Sequence, residues 1–73
     1  MKNNISKGIQ LLRKKKNLSQ AGLGIALGVS RAKISNWEIG RRKISLEEAI
    51  QIARYFKVSL DELVNPETLE EEE

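Results

Sequence analysis

Residues 20–37 read QAGLGIALGVSRAKISNW, and this stretch decides the fold. Apolar residues recur at helical spacing on both sides of Gly28, with Leu23 and Leu27 before it and Ile34 and Trp37 after it. Ser19 stands where a hydroxyl cap would open one short helix, over Gln20–Leu27, and Ser30 where a cap would open another, running to about Glu38. Gly28 ends the first, since a left-handed backbone costs glycine nothing. Two short helices across a turn of about three residues have the spacing of a helix-turn-helix, in which the second helix leaves at a steep angle. Gly24 is small where the two helices should cross closely. Leu23, Leu27, Val29, Ile34 and Trp37 form the inner faces, which leaves Arg31, Ala32, Lys33, Ser35 and Asn36 on the outer face of the second helix.

That outer face suits the edges of DNA bases. Arginine bonds guanine bidentately, asparagine does the same with adenine, and an alanine methyl fits against thymine. Lys33 and Ser35 have donors for base or phosphate. Ser19, Gln20 and Ser30 lie at helix starts, where backbone N–H groups and short polar side chains grip phosphate. Arg41, Arg42 and Lys43 follow the second helix and are placed to clamp the DNA backbone beyond the groove.

Working outward, an earlier helix is expected from about Ile5 to Lys16, with Ile5, Ile9 and Leu12 on one face and Asn17 as its C-cap. Gly40 closes the third helix, and Arg41–Ile44 is a short basic loop. Ser45-Leu46-Glu47-Glu48 is a capping box that opens a fourth helix, with an apolar face of Leu46, Ala49, Ile50, Ala53 and Phe56. A second box, Ser59-Leu60-Asp61-Glu62, opens a short fifth, whose Leu60, Leu63 and Val64 close the core before Pro66 stops it. No strand alternation or hairpin turn is present. The expected architecture is all-α, a compact five-helix bundle. Its domain spans 1–66, with the helix-turn-helix at 20–37. Residues 67–73 read as an acidic, disordered tail or the start of a linker.

Composition bounds the chemistry. The chain has 73 residues, enough for one small domain. Cysteine and histidine are both absent, which removes thiolate ligands, disulfides and the commonest general base. No nucleophile–base pair or metal cluster stands out, so neither an enzyme nor a cofactor is expected. No apolar run approaches the ~20 residues that span a bilayer, and the N-terminus lacks a secretory core; a cytoplasmic protein without membrane attachment is expected. All 13 Lys and Arg lie in residues 1–66 with only five acids (Glu38, Glu47, Glu48, Asp61 and Glu62), which gives that segment +8 against −5 for residues 67–73. A basic body favours polyanion partners through steering and counterion release.

Several features have plainer readings. With 4% aromatic residues, a stacking surface for single strands is not expected, and Trp37 is core. The run Arg13-Lys14-Lys15-Lys16 reads either as a phosphate-facing patch or as a solvated helix end favoured by the helix dipole, and the second reading is preferred for two of its members. The glycines of GLGIALG lack the preceding strand and the spacing of a nucleotide-binding loop.

Taken together, LLRKKKNLSQ, LGVSRAKISNWE, GRRK and SLEEAIQIARYFKVSLDEL resemble the phage repressor and Cro-like domain, or Xre family, over residues 5–64. The resemblance implies a five-helix fold that binds double-stranded DNA through its third helix, as a homodimer on a pseudo-palindromic site. Half-sites would lie about one helical turn, ~34 Å, apart. It implies that Gln20 contacts phosphate or supports base contact, and that Arg31, Ala32 and Asn36 face the bases. It also implies a partly buried ion pair between Arg13 and Glu38 that fixes the first helix on the third. The chain departs from the family at Gly22, Gly24, Ile25, Ile39 and Ile44. The three isoleucines are expected to be exposed, and Ile39–Ile44 and the fifth helix are the expected dimer surfaces. Within this reading the chain is a transcriptional regulator, a repressor. The alternative is an antitoxin or accessory module whose DNA binding depends on a protein partner.

Overall fold

A computed structural model describes residues 4–67, and all five helices are present: α1 (Ile5–Lys15), α2 (Gln20–Leu27), α3 (Arg31–Glu38), α4 (Leu46–Phe56) and α5 (Leu60–Val64). Residues 68–73, most of the expected acidic tail, lie outside the described residues. Among the described residues there is no strand, and no helix is long and apolar enough to cross a membrane.

Local chemistry sets the helix ends. Four of the five helices open on a serine whose Oγ accepts a backbone N–H: Ser19 from Gly22 and Ser30 from Lys33, Ser45 from Glu48 and Ser59 from Glu62. Both capping boxes are complete, because Glu48 and Glu62 return a carboxylate oxygen to the N–H of their own cap, at 2.9 Å in each case. Gly28 ends α2 in the left-handed region at φ 75°. Lys57 does the same for α4 at φ 59°, although neither Gly nor Asn marks that turn. The C-cap of α1 is Lys16, not Asn17; Asn17 lies one residue further, at φ 58°. The helix therefore closes one residue earlier than expected, and the asparagine supplies the left-handed residue beyond the cap.

The core consists of Ile9, Leu12, Leu23, Ile34, Trp37, Ala49, Ile52, Ala53, Phe56 and Leu63. Leu27 and Val29 pack partly against it. The inward stripe of α4 differs from the expected one. Ala49, Ile52, Ala53 and Phe56 are buried, Ile50 is half-buried, and Leu46 is 68% exposed. Both stripes obey i, i+3, i+4, i+7 spacing and share Ala49, Ala53 and Phe56; the one with Ile52 points at the bundle, while Leu46, the first helical residue, is exposed. Leu60 is likewise not closed into the core, at 39% exposure. Ile44, expected to be exposed, packs half-buried against the core, whereas Ile25 and Ile39 are 83% and 62% exposed.

Two close approaches hold the helices in place. A Cβ on Gly24 would fall 2.6 Å from the Val29 carbonyl oxygen, so this glycine admits the backbone of the turn itself rather than a crossing helix. A Cβ on Gly8 would overlap the Leu63 carbonyl oxygen, and α1 therefore lies against α5 with nothing between them.

The orientation of α3 is fixed by one buried carboxylate. Glu38, its last residue, is 5% exposed. Arg13 on α1 forks onto it, with Nε 2.6 Å from Oε2 and Nη2 3.0 Å from Oε1. Gln20 at the start of α2 donates to the same Oε1 at 3.1 Å. Arg13 Nη1 also donates to the Leu18 carbonyl, and Gln10 Nε2 to the Glu38 carbonyl. Three helices thus meet at one charge, and every oxygen of that residue is bonded. The hydrogen bond to Glu38 raises the Arg13 pKa above its ordinary value, although burial opposes it.

Gly8→Ala is expected to destabilise the fold by about 1–3 kcal/mol, the usual range for overpacking against an unyielding neighbour. A urea midpoint equal to that of the parent would mean that α1 and α5 separate freely. Arg13→Ala should cost roughly 3–5 kcal/mol by leaving a buried carboxylate without its cation. Arg13→Lys should recover only part of this loss, because an ammonium cannot fork onto both oxygens. Equal denaturation midpoints for Arg13→Lys and the parent would contradict the bidentate role.

Candidate nucleic-acid interface

α2 and α3 pack against each other more extensively than any other helix pair, and the turn between them is short and internally bonded. The Val29 N–H donates to the Gly24 carbonyl at 2.8 Å, and the Gly28 N–H to that of Ile25. The two helices are therefore joined through the backbone of the turn as well as through their packed faces. The outward side of α3 carries Arg31 and Ala32, both exposed, with Ser35 and Asn36 half-buried beside them. Arg31, Ala32, Ser35 and Asn36 are thus presented together on one face of α3.

The basic loop is tied to that face by backbone bonds. The Asn36 carbonyl accepts both the Arg41 N–H at 3.0 Å and the Arg42 N–H at 3.3 Å. Gly40 makes this reversal possible at φ 76°. Arg41, Arg42 and Lys43 are exposed, and the first two are fixed in position relative to Asn36.

The helix starts divide into two kinds. α4 and α5 have acidic residues in their first turns, Glu47 and Glu48 and Asp61 and Glu62, whereas α2 and α3 have none. Carboxylates neutralise the positive end of a helix dipole, so α2 and α3 keep theirs available to an anion. Ser19 and Ser30 are exposed. Each hydroxyl accepts its cap bond and retains its own proton for a phosphate oxygen.

Two expected contact residues are otherwise engaged. Gln20 donates one of its two amide N–H groups to Glu38 and so holds the end of α3, while its second N–H and its carbonyl oxygen remain for an outside partner. Lys33 does not join the outer face: its Nζ lies 2.8 Å from Glu48 Oε2 and 5.6 Å from the Trp37 ring centroid. The hydrogen bond from Lys33 is the first cause, ahead of the Ser45 backbone bond, that holds the Glu48 carboxyl below its ordinary pKa. Lys16 of the α1 basic run lies over the Tyr55 ring at 5.0 Å. Sequence reasoning missed Gln10 and Glu48. The capping box announced one of Glu48's bonds, but no local pattern announced the other.

A helix-turn-helix family model matches residues 9–63. The HTH-type transcriptional activator BcrR of Enterococcus faecalis is 43% identical over 61 residues, which are 84% of this chain and 30% of that protein; the chain spans less than a third of its relative's length. A transcriptional regulator from Listeria innocua superposes with a TM-score of 0.81 at 26% identity, over 89% of this chain and 61% of the other. The P22 c2 repressor, in a crystal structure with a synthetic operator, superposes with a TM-score of 0.75 at 31% identity, over 84% of this chain and 92% of the other. The five-helix fold, the match to the family model and the likeness to a phage repressor agree: the chain belongs to the helix-turn-helix family, in its phage repressor and Cro-like (Xre) branch, and is a DNA-binding domain of the transcription-regulator type.

Proposed function

We propose that the chain binds a specific duplex as a homodimer, with α3 in the major groove, and regulates transcription from it in the cytoplasm. The observation that carries this reading is the outward side of α3, with Arg31, Ala32, Ser35 and Asn36, next to an exposed basic loop whose Arg41 and Arg42 are bonded through their backbone to Asn36. Arg31 and Asn36 read guanine and adenine edges, and Ala32 and Ser35 complete the contact. Ser19, Ser30, Arg41, Arg42 and Lys43 hold phosphates and set register. The likeness to a repressor solved with an operator supports this docking.

For the sign of regulation the reading is repression. The likeness to the P22 c2 repressor is what favours this sign. The name of the Enterococcus relative is that of an activator, but it belongs to a protein more than three times as long as the stretch matched here.

The dimer contact is assigned to a largely aliphatic groove lined by Ile5, Ile44, Leu46, Ala49, Leu60 and Val64, with Ser45 and Asp61 as its polar members. Two of its lining residues, Leu46 and Leu60, are exposed, and a second copy offering the same patch would cover them under two-fold symmetry.

Selection of bound duplexes from a random pool at physiological salt should enrich an inverted repeat. Arg31→Ala should lose about 1–3 kcal/mol on that site and relax preference at one position, whereas Lys43→Ala should weaken all duplexes alike and flatten the salt dependence. If Arg31→Ala weakened enriched and random duplexes equally, Arg31 would not be a base reader. Leu60→Glu should shift the sedimentation coefficient to that of a monomer while leaving the helical circular dichroism unchanged; an unchanged coefficient places the contact elsewhere.

A further inference from the structure

We propose that Lys33 is a positioning residue of the recognition helix, held off the DNA by Glu48 and tying the front of α3 to the start of α4. The inference rests on the DNA-binding reading above and changes the role of one residue within it. From its place in the sequence, third in a helix that faces DNA, Lys33 has the chemistry of a base or phosphate contact. The structure gives it two partners inside the protein instead.

The first partner is Glu48, whose two oxygens have separate duties. Oε1 accepts the Ser45 N–H at 2.9 Å and closes the capping box of α4. Oε2 takes the Lys33 ammonium at 2.8 Å, with the two side chains 26% and 24% exposed. The second partner is Trp37, one turn further along α3, whose ring lies under the ammonium. This ring is 1% exposed, and its Nε1 has no hydrogen-bond partner among the described residues, so packing and the overlying cation hold it. The lysine stem thus covers the tryptophan while its charge is spent on Glu48.

This pair complements the one at the far end of the helix. Glu38 anchors the last residue of α3 to α1 and α2, and Lys33 anchors its front half to α4. Five residues separate the two anchors, about 7.5 Å along the axis. One anchor fixes a point and two fix a direction, which is what the tilt of Arg31 and Asn36 in the groove requires. A neutralised lysine also adds little to counterion release, because its charge is already matched inside the protein.

Two measurements on the whole chain test the proposal. The first is the salt dependence of binding to a random duplex. Lys33→Met should leave the slope of log K against log salt unchanged. Glu48→Gln frees the ammonium and should steepen the slope by about 0.9, and this gain should vanish in the double variant. A fall of about 0.9 in Lys33→Met alone would make Lys33 a phosphate contact and overturn the proposal. The second is emission from Trp37, the sole tryptophan of the chain. Glu48→Gln should change it in the same sense as Lys33→Met, because both withdraw the cation from the ring face; an unchanged spectrum in Glu48→Gln overturns the tie. On a duplex enriched from a random pool, Lys33→Met should also lower the ratio of specific to random affinity several-fold, and Lys33→Arg should restore it. A parent chain that bound no duplex at all would sink the DNA-binding reading instead, and the emission spectra would still report whether Glu48 holds Lys33.

Discussion

The burial of a single carboxylate governs the arrangement of this domain. Glu38 lies at the junction of α1, α2 and α3, and a charge in that position is tolerable only if a cation pairs with it and both of its oxygens are bonded. Arg13 supplies a planar fork that matches both oxygens, and Gln20 adds a third donor. Because the donors come from two other helices, satisfying the charge also dictates where those helices stand. A hydrophobic contact at the same place would tolerate small slides and rotations. The bidentate geometry tolerates little of either, and the proposed reading face lies directly on the helix it constrains.

A second order is imposed by where the acids are. The described part of the chain uses carboxylates to close the starts of α4 and α5 and leaves the starts of α2 and α3 with serine caps alone. All four helices gain the same backbone satisfaction from their serines. They differ in what remains at the positive end of the dipole. The body's charge excess therefore acts together with two unblocked helix ends, and the Arg41–Lys43 loop is pinned beside them through the Asn36 carbonyl. Binding chemistry and capping chemistry are in this sense one distribution of charge.

The fold was largely legible because its punctuation is chemically explicit. Serines at 19, 30, 45 and 59 and glycines at 28 and 40 mark the helix ends with side chains suited to the task, and five helices without strands followed from them. Legibility failed where two answers satisfied one rule. On α4, stripes through Leu46 and Ile50 or through Ile52 share Ala49, Ala53 and Phe56, and spacing alone does not choose between them. Lys57 takes a left-handed backbone that its side chain does nothing to announce. At the interface, residues are legible as a surface but not as individual partners. Lys33 and Glu48 are fifteen positions apart, and only the packing of α3 near α4 brings them together. Arg13 and Glu38 were nameable through family resemblance, not through any local pattern, and Gln10 was not nameable at all.

The most direct test of the central claim, that the α2–α3 piece with its basic loop is the DNA face, is chemical-shift mapping of the isotopically labelled chain titrated with a duplex. Perturbations are expected at Ser19, at Ser30–Asn36 and at Arg41–Lys43, with α5 unaffected beyond any effect of dimerisation. Perturbations centred on the groove between Leu46 and Leu60, with Arg31 and Asn36 silent, would contradict the claim and make the apolar face the primary site.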